Sequence, residues 1–102
     1  TGTDDAISIP KEFTLKQNYP NPFNPTTDIS FTLEQATDVT LTIYNMLGQQ
    51  VRVLVNESRQ AGLHTIRWNG RSNMGQAVSA GIYLYTLTNG TKSITKKMAL
   101  MK

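Results

Sequence analysis

Apolar and polar residues alternate along much of the chain. In Asp28 to Leu33, Ile29, Phe31 and Leu33 fall on one side and Asp28, Ser30 and Thr32 on the other. A period of two over this length predicts a half-buried strand. Val39, Leu41 and Ile43 repeat the pattern, with Thr40, Thr42 and Tyr44 opposite, until Asn45-Met46-Leu47-Gly48-Gln49 breaks it. Gly48 can adopt the positive φ that a tight hairpin needs. Gln50 to Val55 then predicts the return strand, with Val51, Val53 and Val55 on one face and Arg52 and Leu54 on the other. Asn56 to Gly62 reads as a polar loop. His64, Ile66 and Trp68 alternate with Leu63, Thr65 and Arg67, and Trp68, the only tryptophan, is the largest candidate core residue. Turn residues crowd Asn69 to Gln76. Ile82 to Leu87 is apolar on both faces, as in a central strand, and Asn89-Gly90 is a strong hairpin signal. The last run, Lys92 to Leu100, carries Ile94, Met98 and Leu100 on one face, interrupted by Lys96. Phe13 to Leu15 predicts a short first strand. No window shows the spacing of an amphipathic helix. About seven short strands separated by turn signals predict an all-β, Ig-like antiparallel sandwich.

One stretch falls outside this alternation. Tyr19 to Thr27 holds three of the four prolines, interleaved with Asn21 and Asn24. Each proline fixes its own φ, lacks an N–H and biases the preceding residue towards extended geometry. The segment predicts a stiff structural connector, with Tyr19 and Phe23 as apolar anchors packed on the end of the β core. Pro22 and Pro25 form a formal P-x-x-P, but without the basic flank of a ligand motif.

Composition narrows the reading. A chain of 102 residues fits one domain. With no cysteine, thiol catalysis, disulfides and thiolate metal sites are excluded. The net charge of +3 is milder than the basic stripe of a nucleic-acid binder. Much of that excess is C-terminal, at Lys92, Lys96, Lys97 and Lys102. No apolar run approaches the ~18 residues that span a bilayer. The chain opens on neither Met nor a signal peptide and is read as a piece of a longer protein. Residues 1–12 are polar and read as a linker remnant. Their Asp4-Asp5 pair lacks the spacing of a calcium loop.

Candidate chemistry is sparse. His64 is the only histidine and is in phase with Ile66 and Trp68, which places it at the edge of the core. No nucleophile elbow, phosphate-cradling glycine loop or evident carboxylate pair accompanies it. Arg67, Trp68 and Arg71 admit a sugar- or nucleotide-stacking patch, but a core tryptophan flanked by solvated arginines is the simpler reading. No catalytic residue, cofactor or metal is expected. Lys96, Lys97 and Lys102 suit either of two roles: protecting an edge strand from stray pairing or being read by a docking partner.

The ordered motifs carry a resemblance. They are Asn18-Tyr19-Pro20-Asn21-Pro22-Phe23-Asn24-Pro25-Thr26-Thr27, Ile29-x-Phe31, and Val39-x-Leu41-x-Ile43-Tyr44-Asn45-x-Leu47-Gly48-Gln49. Ala61-Gly62-x-His64, Trp68-Asn69-Gly70, Gly81-Ile82-Tyr83-x-Tyr85 and Lys96-Lys97-Met98 follow in order. From about Phe13 to Lys102 the chain resembles the type A C-terminal sorting domain of the type IX (Por) secretion system. It is also similar to the Ig-like domain of flagellar hook-capping proteins. The first resemblance implies a non-catalytic address label over 13–102, attached to an N-terminal cargo. Outer-membrane secretion machinery would recognise it in the periplasm, and the cargo would end secreted or on the cell surface. A sortase-like protease would in some cases cut ahead of the fold, within 1–12. Carried onto this sequence, the resemblance assigns partner recognition to Gly81, Tyr83, Lys92, Lys96, Lys97, Met98 and Lys102. The alternative is an accessory Ig-like module, a spacer or carbohydrate binder, in a multidomain secreted enzyme.

Overall fold

The computed structural model describes residues 12–102. The expected linker and cleavage region, apart from the exposed Glu12, lies outside the described residues. Seven strands follow in order: β1 (Thr14–Leu15), β2 (Thr27–Leu33), β3 (Thr37–Asn45), β4 (Gln50–Arg59), β5 (Gly62–Trp68), β6 (Gly81–Thr88) and β7 (Ser93–Leu100). They form two antiparallel sheets, β1-β2-β5 and β4-β3-β6-β7. The fold is an Ig-like sandwich without a disulfide, as the alternation predicts.

The inward rows meet in one core. Ile29, Phe31 and Leu33 from β2 face Val39, Leu41 and Ile43 from β3 and Tyr83, Tyr85 and Leu87 from β6, all essentially buried. Each such side chain contributes about 1.5–3 kcal/mol relative to exposure. Trp68 is fully buried between two rings, with Phe23 and Tyr83 each 5.7 Å away, and its Nε1–H donates to the Arg71 carbonyl at 2.9 Å. Next to it, Gly70 has φ +74°, and a Cβ there would sit 3.0 Å from the Pro25 carbonyl oxygen. The Trp-Asn-Gly turn thus passes directly against the connector, and only glycine combines that φ with that approach.

Four expectations change, two in β4, one in the connector and one in β6. Val51, Val53 and Val55 do not share a face. The β3–β4 register shifts between Leu41 and Thr42 and again between Ile43 and Tyr44. Each bulge inserts a residue and inverts the alternation. Val55 stays buried opposite Leu41, Val53 pairs with Thr42 on the outer face, and Val51 and Leu54 pack partly against the core. The predicted loop over Asn56 to Gly62 is mostly strand, since β4 continues to Arg59. It is an edge strand, where polar side chains keep their water, and Glu57 and Arg59 pair along it at 2.7 Å. Tyr19 is not a core anchor. Its side chain is 80% exposed, because its backbone pairs with Asp28 in both directions at 2.9 Å and turns the ring outward. Phe23 alone is the buried anchor. β6 is interior to its sheet, between β3 and β7, but only its inner row is buried; Ile82 is 43% exposed.

The connector is held by a buried polar network. The Asn18 N–H donates to the Tyr85 hydroxyl (2.9 Å), which donates to the Lys16 carbonyl (2.8 Å). Asn18 Nδ2 reaches the Pro20 carbonyl (3.1 Å) and Thr27 Oγ1 (2.9 Å), and that hydroxyl donates to the Pro20 carbonyl (2.9 Å). Asn18 and Thr27 are almost fully buried, so these bonds satisfy groups that would otherwise each cost about 1–3 kcal/mol. The result fixes the segment that reaches β7.

Candidate functional site

β7 is an edge strand, paired only with β6 in its sheet. Its residues alternate in the direction of their backbone groups as well as their side chains. Those at Ala99 point away from β6, and the connector meets them. The Ala99 N–H donates to Asn21 Oδ1 at 3.0 Å, and the Ala99 carbonyl accepts from the Phe23 N–H at 2.9 Å. The Phe23 carbonyl accepts from the Met101 N–H at 2.8 Å, and Gln17 Nε2 donates to the Lys97 carbonyl at 2.7 Å. The C-terminal half of the edge is therefore clipped. By the same alternation the outward groups at Ser93 and Thr95, and the Lys97 N–H, face away from β6. None of them bonds to a described residue outside the β6–β7 ladder.

The site residues assigned by resemblance divide between core and edge. Tyr83 and Met98 are 7% and 1% exposed, so neither side chain is available to a partner in this fold. Tyr83 is spent on Trp68 and on a 2.6 Å bond from its hydroxyl to the Ser79 carbonyl. Burial pushes the Tyr83 phenol above its ordinary pKa. Gly81 opens β6 opposite Leu100, at the clipped end. Lys92, Lys97 and Lys102 are exposed. Lys92 lies 3.7 Å from Glu34 and Lys97 is on the outer face opposite Leu84. Lys96 points inward in phase with Ile94 and Met98, opposite Tyr85, and is half-buried. An inward-pointing charge on an edge strand discourages indiscriminate sheet extension. Thus the strand brings Lys92, Lys96 and Lys97 to one rim and leaves Tyr83 and Met98 beneath it.

The outer face of this sheet is graded. Near Ser93 it carries hydroxyls: Thr86 and Thr95 bond at 2.8 Å, and Thr88 and Ser93 at 3.3 Å. Near Ala99 it is apolar. A groove of about 230 Å³ is lined by Asn21, Met46, Ile82, Lys97, Met98 and Ala99. Met46 is 61% exposed, on the β3–β4 turn.

Sequence reasoning did not find Gln17 and Asn21. A signal for Asn21 exists: Pro20 and Pro22 on either side have no N–H, so the polar reach of that stretch falls to its side chain.

Elsewhere little chemistry assembles. His64 stacks on Phe31 at 5.2 Å, and its Nε2–H donates to the Gln60 carbonyl at 2.8 Å, a structural use at the core edge. Trp68 is sealed, so the imagined stacking patch with Arg67 and Arg71 does not form. Arg67 instead pairs with Asp28 at 3.0 Å, which raises the guanidinium pKa through the hydrogen bond first and the charge second. Among the described residues no group of three or more His, Asp or Glu could hold a metal ion.

Several solved structures share the fold. Dimeric latent PorU from Porphyromonas gingivalis superposes with a TM-score of 0.69 at 18% identity, over 88% of this chain and 9% of that one. FlgD from Xanthomonas campestris, a protein of hook capping in flagellar assembly, gives 0.60 at 20% identity over 97% and 74%. PorZ, described as a surface component of the type IX secretion system of P. gingivalis, gives 0.53 at 20% identity over 88% and 11%. The chain therefore spans only a small part of PorU and PorZ. No protein of curated function matches the sequence. The profile of the FlgD Ig-like domain matches residues 18–93, most of the sandwich from the connector to the start of β7, and the chain belongs to that family.

Proposed function

We propose that this Ig-like domain is a non-catalytic C-terminal sorting label, which directs an attached N-terminal cargo across the outer membrane through the type IX secretion system. The observation that carries the reading is the β7 edge. Among the described residues it is half clipped and half open, and its rim bears Lys92, Lys96 and Lys97. A label needs a rigid fold and a presented surface and needs no reaction centre. Outer-membrane secretion machinery is the partner in this reading. A sortase-like protease would act on the lead-in ahead of β1. The likeness to PorU and PorZ supports a setting in that secretion system through the fold alone.

The test is a cargo fusion to the full chain in a host that has the machinery. The Lys96→Glu/Lys97→Glu variant is expected to leave the cargo in the periplasm while the domain stays folded by circular dichroism. Surface display at the unaltered level ends the proposal. Deleting residues 91–102 is a poorer test, because it also removes Met98 and Leu100 from the core. Membership in the FlgD Ig-like family favours a second reading, an accessory Ig-like module in a larger assembly. That module would tolerate the charge reversal without any change in export.

A further inference from the structure

The open half of β7 ends where the apolar groove begins. Asn21 takes the Ala99 N–H and also lines the groove, and Lys97 belongs to both. A strand laid beside β7 can pair with outward groups at Ser93, Thr95 and the Lys97 N–H, then meets Asn21. Its next side chain has the outer face available, over Ile82, Ala99 and Met46. Residues 89–102 contain four lysines and no Asp or Glu, and among the described residues the acid paired to them is Glu34, at 3.7 Å from Lys92.

We propose that β7 receives an extended acidic segment of a partner protein along Ser93 to Lys97, with a bulky apolar residue of that segment seated in the groove formed by Met46, Ile82 and Ala99. This rests on the sorting reading and names what the recognising partner must offer. Main-chain bonds supply attachment, and alternate side chains supply selectivity. Lys97 and Thr95 share the outer face, so acidic side chains on that face of the incoming strand lie beside the Lys97 ammonium. The inward Lys96 disfavours an apolar residue at the opposing inner position, which selects against uncharged strands. The clip sets the length. Only a short segment fits before it must leave the edge, and the groove gives the apolar side chain that ends it a place to go.

The probe is an acetylated peptide of about seven residues, alternating Glu and Thr and ending in Phe, titrated into the isotope-labelled 102-residue chain. A version with Lys for Glu and a version lacking the Phe serve as comparisons. The amides of Thr95 and Lys97 are expected to shift and gain protection from hydrogen exchange, while the Ala99 amide, already bonded to Asn21, changes little. Thr95→Pro removes an outward N–H at a position where an edge strand tolerates proline, and should weaken binding about tenfold or more. Ile82→Ser leaves the edge untouched and should abolish the preference for the Phe-ended peptide. Equal binding of the lysine peptide, or shifts that map to β4 instead, overturns the proposal. So does unchanged affinity in Thr95→Pro. Export of the cargo fusion is read separately. Peptide binding that Thr95→Pro abolishes without an export defect supports the edge site and removes the sorting role. An export defect in Lys96→Glu/Lys97→Glu, with no peptide bound by the unaltered chain, does the reverse.

Discussion

The four-stranded sheet has two edges, β4 and β7, and both are clipped by an asparagine from a loop. On β4 the Asn73 N–H donates to the Val51 carbonyl and Asn73 Oδ1 accepts from the Val53 N–H, each at 3.0 Å. On β7 Asn21 and Phe23 do the equivalent at Ala99. The clips differ in what stands behind them. Asn73 is exposed beside a Met74 that is 84% exposed, on a turn over the surface. The β7 clip is backed by Phe23, buried against Trp68, and by the Asn18–Tyr85 network. The open stretches differ too. That of β4 pairs Glu57 with Arg59 and follows two bulges, so it is charge-balanced and its ladder is interrupted. That of β7 is regular, and its only charged side chains are lysines. The same device thus leaves a charge-balanced, interrupted stretch on β4 and a short, rigid, basic one on β7.

The largest expected asymmetry is between the two clips. Phe23→Ala should cost about 3–5 kcal/mol, since it empties a core site and loosens the bonds at Ala99 together. Asn73→Ala should cost only about 1 kcal/mol. Urea denaturation reads both, and similar costs would mean that the β7 clip is no better anchored than the surface turn.

Next comes the network behind the clip. Tyr85→Phe strands the Asn18 N–H and the Lys16 carbonyl, for about 1–3 kcal/mol. It also carries a pH signature. Burial raises the Tyr85 phenol above its ordinary value of 10.0, against a smaller opposing effect of the Asn18 backbone bond; Tyr83 is raised by burial as well. A raised folded pKa means that the native state holds the proton more tightly than the unfolded chain. Stability is therefore fully present below pH 10 and falls as pH rises through the folded value. Denaturation series on either side of pH 10 should show that decline in the parent and a shallower one in Tyr85→Phe. An equal decline in both would remove Tyr85 from the account.

The same comparison shows what the sequence could disclose. Alternation located β2 and the buried side of β7 because one face is dry and the other wet, and period two records that directly. It misplaced the β4 valines because a bulge has no marker in a Val-rich run. It could not separate Tyr19 from Phe23, since a proline connector has no period from which a phase can be taken. The lysine rim was legible as composition and position. The clip was not, because Asn21 and Ala99 are 78 residues apart and their bond depends on how the sheets close. Tyr83 and Met98, assigned to recognition with the lysines, are buried, and a motif alone does not tell a residue that shapes a surface from one that forms it.

A smaller contrast lies in the two asparagines. Asn21→Ala and Asn73→Ala each remove one acceptor, for about 1 kcal/mol, so their stabilities should nearly match. Amide exchange should separate them: the Ala99 amide accelerates in the first and the Val53 amide in the second. In Asn21→Ala the open edge lengthens to Ala99, which is still fixed at its carbonyl by Phe23. Exchange at Thr95 should stay as it was, because that position lies beyond the clip already. Faster exchange at Thr95 as well would show that the whole edge opens as one unit.

The smallest effect bears on whether the β7 rim is free to act on anything else. Lys92 and Glu34 are both largely exposed, at 62% and 42%, and sit at 3.7 Å. An exposed pair of this kind contributes about 0–1 kcal/mol, and salt screens it. Lys92→Ala should therefore shift the urea midpoint by little, and a molar salt concentration should erase the difference. A loss well above 1 kcal/mol that persists in salt would make Lys92 a structural tie between the start of β7 and the β2–β3 turn. Its charge would then be committed inside the molecule, and the basic stretch that sets β7 apart from β4 would shrink to Lys96 and Lys97.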